Sequence, residues 1–230
     1  MSECLSTLMR LLAFTDSAFP VGAFSFSNGL ETAAAEGLVC DAAALEAYVR
    51  DVARQAAFTD GVAALHAHRS RSRACYAGIV DADRQLLLCR FGAEARQMTC
   101  RMGRKLAELS RRIREDEIVD RWIGDIAAGR TPGSYPVAQG IVFAACGIDE
   151  RALFCAHRYG AMNMVLSAAL RCVRVSHYDT QRILFRLSGD TDRLYGEVRE
   201  LALDEMNAFA PQIDILASLH EKGTRRMFMN

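Results

Sequence analysis

The feature that most constrains this chain is a stripe of apolar residues downstream of Asp81: Leu88, Phe91, Ala95, Met98, Met102, Leu106, Leu109 and Ile113. Steps of three and four place all eight on one face of a helix, a period that no strand supplies. The remaining faces carry Arg90, Glu94, Arg96, Arg101, Arg104, Lys105, Glu108, Arg111 and Arg112. The stripe is therefore expected to be the buried side of one long amphipathic helix.

The same period recurs along the chain. Asp41 can cap a helix whose inner face holds Leu45, Tyr48, Val49 and Val52, and Thr59 or Asp60 can restart it toward Leu65. Asp149 can cap a longer one running through Leu153, Met164, Val165 and Leu170. Further helices are expected over 137–146, 177–187, 191–209 and 212–220, and the only β-like run is Val173-Arg174-Val175. The four prolines, at 20, 132, 136 and 211, sit where a helix begins or has been interrupted, and 129-GRTPGSYP-136 reads as the best linker. The pattern predicts an all-α single-domain bundle of about ten helices over 1–230, with flexible N-terminal residues 1–6 and a C-terminal tail 221–230.

Composition narrows the function classes. Half of the residues are apolar, which excludes a disordered chain. The 28 basic and 28 acidic side chains cancel, so no global field points to nucleic acid or a membrane surface. Little net charge also means little colloidal protection, a hint of work inside a complex. None of the eight cysteines forms a C-x-x-C or pairs with histidine at a zinc spacing. The start, MSECLSTLMRLLAF, lacks a basic region and a cleavage site, and no apolar run is long enough for a membrane span. A cytoplasmic protein with reduced thiols is expected.

The stretch 17-SAFPVGAFSFSNGLE-31 concentrates the candidate chemistry. Its Ser25-Phe26-Ser27-Asn28-Gly29 nearly matches a nucleophile elbow, so a serine hydrolase using Ser25 or Ser27 is the alternative reading. That motif needs a preceding strand and a glycine two residues ahead of the serine, and neither is present. A phosphate loop fails for want of its lysine. The plainer reading is a helix break at Pro20-Val21-Gly22 followed by a cap at Ser25 or Ser27. It leaves Phe19, Phe24 and Phe26 bunched in a connection, where burial or a partner would be needed.

The histidines offer no metal cluster. His66 and His68 point nearly opposite ways on a helix, and His157, His177 and His220 are isolated, with His220-Glu221 expected as an exposed helix end. Residues 96–114 hold seven basic side chains against Glu108, a solvated face or a surface for an acidic partner. Acidic Glu115, Asp116 and Glu117 follow at once, which argues against a nucleic-acid module. The tail 223-GTRRMFMN-230 mixes two arginines with Met227, Phe228 and Met229, a composition suited to docking on a protein.

Four ordered stretches carry a resemblance: 11-LLAFTDSAFPVGAFSFSNGLE-31, 94-EARQMTCRMGRKLAEL-109, 135-YPVAQGIVFAACGI-148 and 211-PQIDILASLHEKGTRRMFMN-230. Together they resemble the urease accessory protein UreF family along essentially the whole chain. Two departures stand out. The family's V-P-L-G-Q string is replaced within 173-VRVSHYDTQR-182, and the ending Arg226-Met227-Phe228-Met229-Asn230 lacks a terminal arginine.

The resemblance implies an all-α scaffold that homodimerises and bridges a UreD/UreH-like protein and the GTPase UreG, delivering nickel to apo-urease. It implies no catalysis by this chain, no cofactor, and nickel in transit in place of a fixed metal site. Residue by residue, Pro20, Gly22, Phe24, Ser25, Phe26, Gly29, Leu30 and Glu31 would form an N-terminal interaction element. Gly103, between Arg101 and Arg104, would let a neighbouring helix approach closely. Gln181 and Arg182 retain the family's Gln-Arg pair. His220, Glu221, Arg225, Arg226 and Phe228 would order when the UreD-like partner binds.

Overall fold

Short polar side chains start several helices by accepting the first free backbone N–H groups. Asp41 accepts from Ala44, Asp116 from Ile118 and Val119, Asp149 from Ala152, and Ser176 from Asp179 in a reciprocal capping box. The computed structural model describes residues 4–22, 26–207, 210–221 and 227–228. In chain order these form α1 (Leu5–Thr15), α2 (Leu30–Ala35), α3 (Ala42–Ala56), a π-helical turn (Ala57–Gly61), α4 (Val62–Ser72), α5 (Tyr76–Leu88) and α6 (Ala93–Ile113). Then follow α7 (Glu117–Ala127), α8 (Tyr135–Ala145), α9 (Glu150–Cys172), α10 (His177–Ser188), α11 (Thr191–Val198), a 3₁₀ turn (Leu203–Glu205) and α12 (Pro211–Glu221). Among the described residues no strand occurs, and the all-α bundle expected from the periodicity is what forms.

The 23-residue α9 threads the bundle and packs against α2, α3, α4, α8 and α10. One core lies around Trp122, Phe143, Leu153 and Leu86, and a second around Leu30, Leu45, Val49, Val165 and Ile183. The α4–α8 contact uses glycine. A Cβ at Gly140 would sit 2.5 Å from the Ala64 carbonyl of α4, so only the bare backbone lets α8 approach that near.

Four expectations need correction. The long stripe is divided between α5 and α6: the chain breaks at residues 89–92, and Leu88, Phe91 and Ile113 are 72%, 70% and 66% exposed. Its middle, Met98, Met102 and Leu106, is buried as expected. Thr59 and Asp60 do not restart a helix. The π turn carries α3 directly into α4, with the Thr59 hydroxyl donating back to the Gln55 carbonyl at 2.9 Å.

The 129–136 segment is no linker. Buried Asp83 accepts from the Thr131 hydroxyl at 2.6 Å and from the Gly133 and Ser134 N–H groups at 2.7 and 2.8 Å, fastening the connection into the core. The helix expected over 191–209 ends at Val198, because Arg69 takes the Arg199 carbonyl at 2.6 Å and His66 takes the Leu201 carbonyl at 2.8 Å. Those carbonyls are then lost to a continuing helix.

Candidate partner-docking site

The N-terminal signature and the C-terminal segment meet at one place. Gly29 (φ +78°) turns the chain into α2, and a Cβ there would lie 2.9 Å from the Ala217 N of α12. Both the left-handed backbone and this contact demand glycine. The turn is held by the Tyr48 hydroxyl, which donates to the Asn28 carbonyl at 2.6 Å. Leu30 is fully buried, and next to it Glu31 reaches Met227 and Phe228.

Glu31 is the anchor of this junction. Its Oε1 accepts the Met227 N–H at 2.7 Å, while Oε2 accepts the Phe228 N–H at 3.1 Å and His220 Nε2–H at 2.8 Å. Burial pushes the carboxyl up, but the bonds from Met227, His220 and Phe228 outweigh it and hold Glu31 below the usual carboxylate range. Phe228 is 6% exposed, packs in the second core, and has the Arg171 guanidinium 5.2 Å from its ring centroid. His220 is 4% exposed. The expectation of an exposed helix end at His220 is thus overturned: α12 packs on α2 and α6, whose Glu31 and Glu94 flank the ring. Phe228 and His220 are both seated against Glu31 of α2 within the chain itself.

Phe26 packs on Met98 and Met102 of α6, and Phe19 stacks edge-on against Phe14 at 5.2 Å. Phe26 is therefore core, and Phe19 is half-buried against the first core. Gly103 faces the connection into α8, where a Cβ would lie 2.2 Å from the Gly133 carbonyl oxygen, a closer approach than the helix contact expected. Arg101 and Arg104 lie on the exposed face of α6, Pro20 and Gly22 are exposed, and Gln181 and Arg182 are exposed on α10, which packs on α9 and α3. Phe24, Ser25, Arg225 and Arg226 lie outside the described residues, as does the side chain of Glu221. Ser27 is fully buried and its Oγ accepts the Glu31 N–H at 3.4 Å, a placement that gives the hydrolase reading no support.

A polar group that sequence reasoning missed lies beneath the junction. Asp60 on the π turn is bonded to Arg90 from the α5–α6 connection, and its Oδ2 stands 3.5 Å from His157 Nε2 on α9. His157 Nδ1–H donates to Gln139 Oε1 at 2.7 Å, and Gln139 Nε2–H to the Tyr135 hydroxyl at 3.2 Å. Burial pushes the Asp60 carboxyl up, but the Arg90 charge and the His157 bond hold it at about 2. Asp214 on α12 borders the same cavity of about 110 Å³, and burial raises its carboxyl. The cluster ties four distant segments together. Nothing local in the sequence marks it, since its members come from separate segments of the chain.

Outer surfaces complete the picture. α1 buries none of its residues, leaving Leu5, Met9 and Leu12 at 78%, 66% and 56% exposure. All eight cysteines are free thiols. Among the described residues no group of three metal-ligating side chains assembles, and no helix is long and apolar enough to cross a membrane.

The UreF family model matches residues 39–188. A Brucella canis protein named urease accessory protein UreF 2 is 43% identical over 226 residues, 98% of this chain and 93% of its own length. The urease accessory protein UreF of Yersinia pseudotuberculosis serotype IB is 41% identical over the same span, covering 99% of its length. This chain belongs to the UreF family. Its Gly29, Glu31, His220 and Phe228 lie in stretches quoted above for the UreF resemblance, and in three dimensions they form one junction.

Proposed function

We propose that this UreF-family chain is a non-catalytic adaptor in urease maturation. It bridges a UreD/UreH-like protein and the GTPase UreG in the cytoplasm, as a homodimer, while nickel passes to apo-urease as cargo. The observation that carries the reading is the junction at Glu31. It joins the N-terminal signature to the C-terminal segment, and Phe228 lines one cavity with Phe14 and Thr15 of α1, whose Leu5, Met9 and Leu12 face solvent. An apolar strip of this kind fits a protein partner better than water. The basic outer face of α6, with Arg101 and Arg104, supplies a second surface of opposite character for an acidic partner.

The test is reconstitution. The purified chain, mixed with UreD-like and UreG-like proteins of the same organism, should co-elute with both in the presence of GTP and nickel. Separate elution of all three would overturn the adaptor reading.

A further inference from the structure

The outer side of α6 and the turn into α7 carry opposite charge, one after the other. Arg101, Arg104, Lys105 and Arg112 are exposed, lie within about a third of a turn of one another, and span about 16 Å of the helix axis. Within 101–112 the only acid is Glu108, and it is half-buried. Directly beyond come Glu115, Asp116, Glu117 and Asp120, which with Arg111 line one surface pocket. The inner side of α6 fixes which way this face points. Met98, Met102, Leu106 and Ala107 are buried there, and Gly103 lies against the backbone of Gly133 and Ser134.

Part of the charge has an ordinary use. Arg111 stands 3.7 Å from Asp120, and Arg112 in the last turn suits the negative end of the helix dipole. Arg104 and Lys105 sit mid-helix, and among the described residues neither has a carboxylate partner. We propose that this face is a docking surface for a partner protein of reversed polarity, with an acidic stretch along Arg104, Lys105 and Arg112 and a basic group at Glu115 and Glu117. The assignment rests on the adaptor reading for the existence of a partner, and adds the direction in which that partner lies. Opposed patches of this kind steer encounter and fix register. Between Arg96 and Arg112 no large apolar side chain is exposed, whereas permanent dimers bury apolar surface, so a second copy of this chain fits poorly. Nucleic acid would run from the basic stripe straight onto the carboxylates of 115–120 and be repelled there.

Biolayer interferometry of the full chain against UreG-like and UreD-like proteins of the same organism, at about 50 and about 400 mM salt, tests the surface. The variants are R104E/K105E and E115K/E117K, whose side chains are all exposed, with circular dichroism confirming retained helix. For one of the two proteins, high salt should weaken wild-type binding about tenfold or more. At low salt R104E/K105E should lose about tenfold or more for that same protein, mostly in association rate, and E115K/E117K should also bind it more weakly. Unchanged affinity of R104E/K105E for both proteins, or tighter binding by E115K/E117K, would overturn the assignment. So would wild-type self-association that R104E/K105E abolishes, or salt-sensitive binding of a DNA duplex that it abolishes. Wild type that binds neither protein at either salt would instead overturn the adaptor reading, and the docking surface with it.

Discussion

Glu31 and His220 are 189 positions apart in sequence, yet a 2.8 Å hydrogen bond joins them and the Glu31 carboxylate also holds the chain's last described residues. One side chain therefore fastens α2 to α12 and to Phe228. Replacing it by alanine leaves three donors in a mostly buried place without their acceptor. E31A should lower unfolding stability by about 3 kcal/mol, and E31Q, which keeps one carbonyl acceptor, by about 1 kcal/mol. Urea titration followed by circular dichroism measures both, and equal stability of E31A and wild type would contradict the assignment.

Met227 and Phe228 are part of the fold. Removing residues 227–230 takes Phe228 out of the second core and two N–H donors from Glu31. The truncated chain should be about 2 kcal/mol less stable with unchanged helical content in the absence of denaturant. A dispensable tail would leave the urea midpoint where it was.

Two glycines give opposite expectations for the same substitution. G103A would drive a Cβ to within 2.2 Å of the Gly133 backbone oxygen, and backbone cannot yield cheaply. It should cost about 3 kcal/mol or prevent folding. G124A, within α7 with nothing within 4 Å of its Cβ, should stabilise by up to about 1 kcal/mol. Thermal midpoints of the pair check both signs.

Acid should weaken the bundle through Asp60. Its folded value of about 2 lies below the ordinary 3.8, so its contribution is present above about pH 4 and is lost as pH falls toward about 2. Glu150, held at about 2 first by the Arg69 bond and also by Tyr195, loses its contribution in the same window. D60N leaves Arg90 buried without its anion and should cost about 3 kcal/mol at neutral pH. It should also show a shallower acid loss than the wild type. Urea midpoints measured from about pH 6 down to about pH 2 compare the two, and parallel profiles would contradict the pairing.

What could be read from the sequence was local, and what could not was distant. The caps at Asp41 and Asp149 and the 98–106 stripe declare themselves within one or two helical turns. Gly92 marks the break between α5 and α6, but the apolar spacing runs straight across it and hides it. Asp83 looks like any exposed helix acid until the 131–134 connection folds over it from some fifty residues away. His220 and Phe228 read from sequence as docking residues, whereas in the fold both bond to Glu31, 189 positions before His220. The Asp60–Arg90–His157 cluster shares that character: three unrelated positions acquire meaning only when α9 and the π turn meet.

The Glu31 junction and the exposed face of α1 are proposed to form one protein-docking surface. Titration calorimetry of a UreD-like protein into wild type and into an L5D/M9D/L12D variant tests it most directly. Those three side chains are exposed, so the substitutions should leave helical content and urea midpoint unchanged. The wild type should bind, and the variant should lose about a hundredfold or more in affinity. Equal binding by a properly folded variant would contradict it.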